Sequence, residues 1–358
     1  MKVCIIGDGL SSLTLAKALI NENIYVDVFA HKKKNVLNKS RTIGISKSNV
    51  EFFNNNILNI NKIIWKLKNI EIFSENLKNK KLLQFRAKND QLFSILRNYQ
   101  LYEILEKKLS KNKYFKKKNL KIHLNLKKNY DILINTDYNH SFTKKYFNKK
   151  IIKKYNSVAY TTVIKHKKIL NNTAIQIFTK HGPLAFLPIS ENETSIVYSF
   201  FNRYKPEKPN IEKLINSYNL KYKILNFQKI YSFELKSLYL RSYYQDNILA
   251  FGDLLHRVHP LAGQGFNMTI RDLKVLLDII KRKNSLGLPM DSSINKEFEK
   301  SLRHKNLIFS NGIDLIYEFF NLERKSKNSI LGKTVQYLGK NSNVNDFFIK
   351  IADRGFIL

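Results

Sequence analysis

The sequence predicts an α/β protein: a Rossmann-like nucleotide-binding domain, an inserted, mostly antiparallel β-sheet and a C-terminal helical region. Three stretches carry that prediction. The apolar residues 3–6 lead into Gly7-Asp8-Gly9-Leu10-Ser11-Ser12 and then a helical spacing of Leu13, Ala16, Leu19 and Ile20, which reads as strand, turn and helix. A second apolar run, residues 248–251, feeds Gly252-Asp253 and a loop holding Pro260, Gly263 and Gly265 ahead of another helical pattern. Between them, residues 173–200 alternate with period two about Gly182-Pro183, as antiparallel strands do.

The two glycine-bearing turns say what kind of ligand suits them. At Gly263 and Gly265 no Cβ obstructs a planar ligand, and Pro260 fixes the entry to the turn. The helix beginning near Gly265 points free N–H groups at that ligand, which favours a partly anionic ring or a phosphate. Asp253, at the carboxyl end of a strand, suits a ribose or ribityl hydroxyl. In the first turn Ser12 replaces the third glycine of the GxGxxG pattern, and a serine is small enough for close helix packing. The second strand, residues 25–29, ends at Ala30 where an acid usually holds the adenosine ribose; Asp27 lies too early and in an alternating direction to substitute.

Composition narrows the partners. The 358 residues suffice for one large or two modest domains. With 63 Lys and Arg against 28 Asp and Glu, the net charge of +35 suits nucleic acid, an acidic membrane surface or a plain compositional bias. The basic residues are spread along the chain, and the runs at 32–34 and 116–118 lack any RNA-module signature, so no nucleic-acid partner is expected. The single cysteine, Cys4, excludes an intrachain disulfide and fits a reducing, cytoplasmic compartment. Glycines and serines interrupt the first twenty residues, against a signal peptide, and no apolar run reaches the ~18 residues of a membrane span. His256 and His259 lack a third ligand at metal spacing, so no metal is expected.

Taken whole, residues 252–272, GDLLHRVHPLAGQGFNMTIRD, resemble the second FAD-binding motif of the flavoprotein aromatic hydroxylases, with Met268-Thr269 where a small residue or glycine is commoner. GPLAFLP at 182–188 resembles the signature of the ubiquinone-biosynthesis hydroxylases within that superfamily. Residues 131–141, DILINTDYNHS, are similar to its DG motif, with Asn135 and Tyr138 in place of two glycines and Lys144 in place of an arginine. The resemblance implies FAD held by Gly7, Gly9, Ser12, Gly252, Asp253, Pro260, Ala262, Gly263, Gln264, Gly265 and Asn267. It implies further that Asp137 reaches FAD and the nicotinamide region. Arg41 is either near the pyrophosphate or flavin edge or an exposed loop arginine, and Asn98 either faces FAD or caps a helix.

The domain division that follows is a discontinuous FAD-binding domain at 1–70, 93–155 and 242–290, a substrate-domain sheet at 71–92 and 156–241, and a C-terminal helical region at 291–358. Residues 92–109 read as one helical stretch, and amphipathic helices are expected at 298–309, 313–322 and 347–351, where the spacing of Arg303, Asn306 and Phe319-Phe320 resembles the family's C-terminal helices. The implied reaction is hydroxylation of a polyprenylated phenol on the route to ubiquinone, with NAD(P)H and O2 consumed and a flavin hydroperoxide as oxygen donor. No acid-base side chain is assigned. An apolar substrate implies a peripheral position on the inner membrane and contact with other quinone-biosynthesis proteins. Ser12, Ala30, Asn135 and Tyr138 also motivate a second reading, a non-catalytic flavoprotein or scaffold of a quinone-biosynthesis complex.

Overall fold

The protein is described from a computed structural model covering residues 1–30, 38–75, 81–87, 91–119, 129–201, 209–260 and 263–326, with positions 336, 337, 346, 349, 350 and 353 beyond. The chain opens with β1 (Lys2–Ile6), α1 (Leu10–Asn21) and β2 (Tyr25–Ala30), a right-twisted strand-helix-strand unit whose strands pair in parallel. Val3, Cys4, Ile5 and Ile6 are all buried, because the sheet is covered on both faces.

β3 (Thr42–Ser46), α2 (Lys47–Asn56), β4 (Ile64–Leu67), β5 (Asn69–Ser74), β6 (Lys81–Arg86) and β7 (Phe93–Arg97) follow. β7 lies between β3 and β4 in a small antiparallel sheet. This corrects the expectation of one helical stretch over 92–109: pairing on both edges holds residues 93–97 extended, and α3 (Asn98–Leu109) begins only after them. Propensity gives way there to tertiary pairing.

β8 (Phe115–Asn119), β9 (Ile132–Asn135) and α4 (Ser141–Tyr146) complete the first half. The long β10 (Lys150–His166) then leads into β11 (Thr173–Thr179), β12 (Gly182–Pro188), β13 (Glu193–Phe201), α5 (Ile211–Ser217), β14 (Ile224–Phe227) and β15 (Tyr231–Leu240). The period-two segment is thus three strands, and glycine is required where β12 opens, since Gly182 has φ at +126° and a Cβ there would stand 2.0 Å from the Ser199 carbonyl oxygen. β16 (Tyr244–Gln245), β17 (Ile248–Ala250), β18 (His256–Arg257), α6 (Gln264–Ser285) and α7 (Ser293–Ser326) close the chain as described. The separate helices expected at 298–309 and 313–322 are one continuous α7; Gly312 within it costs about 1 kcal/mol of helix propensity, which packing of Phe309, Ile313 and Tyr317 offsets. The helix expected at 347–351 falls largely outside the described residues.

Two large sheets result. One runs β16-β17-β9-β1-β2-β8, parallel except for β16, and its core takes in α1, α3 and α6. The other runs β18-β15-β10-β13-β12-β11-β5-β6 with β14 beside β10, and only its β5–β11 pair is parallel. β1 connects through α1 to β2 on one side while β9 pairs with it on the other, so the carboxyl ends of β1 and β9 form the switch point where open α/β sheets bind ligands. A third, smaller core of Tyr155, Met268, Phe309, Ile313 and Tyr317 fills the junction of β10, α6 and α7. Among the described residues no helix is long and apolar enough to cross a membrane.

Candidate active site

The switch point is built from glycines that serve two different ends. Gly7, just past β1, has φ at +105°, and a Cβ on it would lie 2.5 Å from Thr136 Oγ1 beyond β9. Thr136 donates to the Ile6 carbonyl at 2.8 Å, so the Ser12 hydroxyl, 2.7 Å away, donates to Thr136. Ser12 is therefore fully buried and ties α1 to β9. Gly252, at the end of β17, has φ at +66°, and a Cβ there would meet Ser11 Cβ at 2.8 Å. These two glycines let strand ends and helix start close up on one another.

Gly9 and Gly265 differ: among the described residues a Cβ at either would meet nothing within 4 Å. Gly9 is the N-cap of α1, and Gly265 sits in the first turn of α6 behind the left-handed N-cap Gly263. Each leaves a helix N-terminus bare, with unpaired N–H groups and a partial positive charge facing open space. Gln264 lies between them in sequence terms with its side chain buried, its Oε1 accepting from Arg271 at 3.3 Å, so its contribution to the open side is its backbone.

Asn267 anchors this turn. Its Nδ2 donates to the carbonyls of Gly44 and Gly263, each at 3.2 Å, and its Oδ1 accepts from Ser46 N and Asn49 Nδ2, each at 2.9 Å. All of its capacity is spent on holding α6 against β3 and α2. Pro260 is half-buried, and its carbonyl accepts from Gly263 N at 3.3 Å, closing the turn. Ala262 lies outside the described residues. Asp253 is exposed on a short 3-10 turn, with no protein partner for its carboxylate among the described residues.

Arg41 and Asn98 are brought together: Arg41 is exposed, and its carbonyl accepts from Asn98 N at 3.0 Å. Asn98 is the first residue of α3, after the N-cap Arg97, and so does not itself cap the helix. Asp137 follows β9, its Oδ1 accepting from Asn139 N at 2.8 Å. Asn135, buried where the motif has glycine, bonds Thr143 Oγ1 at 2.8 Å and accepts from Asp137 N at 3.1 Å, which shapes the turn by side chain instead of by backbone freedom. Tyr138 lies under Lys150, whose Nζ is 4.6 Å from the ring centre, and beside Arg257 at 5.8 Å.

Asp27 is buried in the sheet. Burial raises its pKa, but hydrogen bonds from Lys118 at 2.7 Å and Tyr130 at 2.6 Å, with the charges of Lys118 and Lys2, outweigh that and leave it below the ordinary value. Its carboxylate is thus committed inside the protein.

Sequence reasoning weighs His256 and His259 only as metal ligands and misses the cluster they join. His259, fully buried, packs edge-on against Tyr155 at 4.9 Å between ring centres and under Tyr317 at 4.5 Å, and neither ring nitrogen has a hydrogen-bond partner among the described residues. Nearby, His256 Nε2 lies 2.5 Å from Asp272 Oδ2, and Asn306 Nδ2 donates to Asp272 Oδ1 at 2.9 Å, linking β18, α6 and α7. The histidines sit together in sequence, but Tyr155, Tyr317 and Asn306 come from distant segments.

A family model described as an FAD binding domain matches residues 158–281. The 3-demethoxyubiquinol 3-hydroxylase of Escherichia coli is 28% identical over 159 residues, 40% of this chain and 39% of that protein. Over these stretches the chain is similar to FAD-dependent hydroxylases. The ubiquinone biosynthesis monooxygenase COQ6 of Dictyostelium discoideum is likewise 28% identical, over 41% of this chain and 38% of its own length. The match spans about two fifths of the length of these curated relatives. In fold, the p-nitrophenol 4-monooxygenase of Pseudomonas putida covers 99% of this chain and 98% of its own with a TM-score of 0.77 at 12% identity. The residues present fit FAD: two bare glycine-floored helix starts and an exposed carboxylate at Asp253, uncommitted among the described residues, suit a cradle that added Cβ atoms would fill.

Proposed function

We propose that the chain is an FAD-dependent monooxygenase that hydroxylates a polyprenylated phenol in ubiquinone biosynthesis, consuming NAD(P)H and O2. The observation that carries this reading is the pair of open glycines, Gly9 and Gly265, at helix starts flanking the switch point. The named ubiquinone-biosynthesis relatives supply the substrate class, and the comparisons give no support to a scaffold role.

FAD, when bound, supplies the redox chemistry that activates oxygen. The chain's own groups bind, orient and exclude water. Amides near Gly9 offset phosphate charge, and Asp253 accepts from a ribityl or ribose hydroxyl. The amides of Gly263, Gln264 and Gly265 stabilise negative charge on the ring system, as preorganised donors do in an oxyanion hole. Arg41, Asn98, Asp137 and Pro260 would help hold the same cofactor. Gly7, Gly252, Ser12 and Asn267 act at one remove, by fixing the turns. The segments 1–70, 93–155 and 242–290 hold the cofactor in this reading, and 71–92 with 156–241 hold the substrate.

An apolar phenol resides in the membrane, and a net charge of +35 favours a peripheral position on an anionic inner-membrane surface, where other quinone-biosynthesis proteins are within reach. The first test is the visible spectrum of the purified protein with FAD, followed by anaerobic NADH or NADPH. A yellow protein that the nicotinamide bleaches, and that a prenylated phenol then turns over to hydroxylated product, supports the reading. A colourless protein that takes up no FAD overturns it.

A further inference from the structure

The aromatic cage around His259 is the feature that neither cofactor binding nor folding accounts for. Its imidazole is 1% exposed, and both ring nitrogens lack partners among the described residues. Leaving such a group buried costs about 1–3 kcal/mol, so a retained one calls for an explanation. The cage is also built at some expense to regular structure. β10 slips register against β15 between Lys154 and Val158, and Asn156 takes φ at +51° within that slip. A bulge of this kind re-aims side chains, and here Tyr155 and Ser157 are buried while Lys154 and Asn156 are exposed. Tyr155 thereby reaches His259 from the sheet, and Tyr317 reaches it from α7. Met268, in the first turns of α6, belongs to the same cluster.

We propose that His259 receives the phenolic hydroxyl of the substrate, one imidazole nitrogen accepting its hydrogen bond, with Tyr155 as a fixed wall and Tyr317 as the wall that yields its place to the substrate ring. This deepens the hydroxylase reading and rests on it. The position suits the role, since His259 immediately precedes Pro260 on the loop to Gly263 and Gly265. The seat already holds a phenol in the form of Tyr317, whose ring lies over the imidazole at a tilt of 36°.

The charges around the cage leave the imidazole free to accept. Among the described residues no carboxylate bonds to it. Lys153, whose charge acts on the imidazole, is 3.0 Å from Glu318 and 3.6 Å from Asp314, and Asp314 also accepts from the Tyr155 hydroxyl. Burial and then Lys153 push the His259 pKa down to about 3, so the ring is neutral at physiological pH and keeps an acceptor nitrogen. On the outer side of the Tyr317 turn, Leu315 and Ile316 are exposed, an apolar surface for the substrate's tail.

The test compares two ligands and two variants. A short-chain 2-prenylphenol and its methyl ether, which cannot donate, are titrated into FAD-loaded wild type, His259→Phe and His259→Gln, with affinity read from the perturbation of the flavin absorption band. Flavin content and melting temperature serve as folding controls. The expected result is that wild type binds the phenol about tenfold or more tighter than the ether, that His259→Phe loses this preference without losing thermal stability, and that His259→Gln recovers part of it. Equal binding of phenol and ether by wild type overturns the proposal while the hydroxylase reading stands. So does an unchanged preference in His259→Phe. A wild type that takes up no FAD, or whose flavin band ignores both ligands, overturns the hydroxylase reading and the proposal together.

Discussion

His256 and Asp272 stand 2.5 Å apart, imidazole to carboxylate, with neither side chain in contact with solvent. The pair spans the whole cofactor loop, since His256 lies before Pro260 and Asp272 two turns into α6. Asn306 of α7 donates to the second carboxylate oxygen, so the loop is gripped at both ends and tied to the C-terminal helix. Removing one member of a buried pair leaves the other unpaired, at about 3–5 kcal/mol. Asp272→Ala is expected to lose stability of that size in urea unfolding, and to weaken FAD binding because the loop's two ends are released. His256→Ala combined with Asp272→Ala should cost less than the two changes summed, as coupled neighbours do. Additive losses would show that the two side chains act independently.

The glycines of the switch point predict opposite responses. Gly265→Ala meets no atom within 4 Å among the described residues and improves helix propensity by about 1 kcal/mol, so the protein should melt slightly higher. A larger side chain at the same place, Gly265→Leu, should leave the fold standing and lower FAD affinity at least tenfold. Gly7→Ala should do the reverse and destabilise the protein itself, because its φ of +105° is strained for any other residue and the new Cβ would stand 2.5 Å from Thr136 Oγ1. Melting curves of the FAD-free proteins, set beside FAD titrations, separate the two classes.

These positions also show what a sequence can reveal. The turns around Gly7 and Gly252–Gly265 are local, so their chemistry is written in consecutive residues, and the α/β class follows from them. What the letters could not separate is a glycine that admits a ligand from one that admits a neighbouring strand; that depends on Thr136, Ser11 and Gly44, all distant in the chain. Asn267 shows the same limit, since its four partners lie on β3, α2 and its own loop. Residues 93–97 read as helix because apolar spacing in so short a run does not discriminate, and only pairing with β3 and β4 does. The His259 cage was illegible altogether, for Tyr155 and Tyr317 meet it only through a bulge and a long helix.

Cys4 offers a probe of the parallel sheet. It is fully buried on β1, and burial, reinforced by the nearby Asp27 carboxylate, pushes its thiol up to about 12. The reactive thiolate is therefore almost absent at neutral pH. A thiol reagent at pH 8 should leave the native protein unlabelled and modify one thiol per chain in denaturant. Rapid labelling of native protein would mean that β1 opens readily, against its central place between β2 and β9.

The depressed imidazole of His259 fixes the sign of a pH effect. An unfolded histidine takes up a proton near pH 6.5, whereas folded His259 remains neutral down to about pH 3, chiefly through burial and then through Lys153. Between those values the unfolded chain binds more protons than the folded one at this position, so stability falls as pH falls, by about 1.4 kcal/mol per unit once the unfolded group is largely protonated. Above pH 7 the group has no such effect. Carboxylates in general titrate in the same acid range, so the useful quantity is the difference between wild type and His259→Phe. That difference should be flat from pH 7 to 8 and should widen in favour of the phenylalanine variant from pH 6 down to 4. Parallel stability curves over this range would mean that the imidazole gains its proton inside the fold, where a cation would lose the acceptor nitrogen on which recognition of a phenol depends.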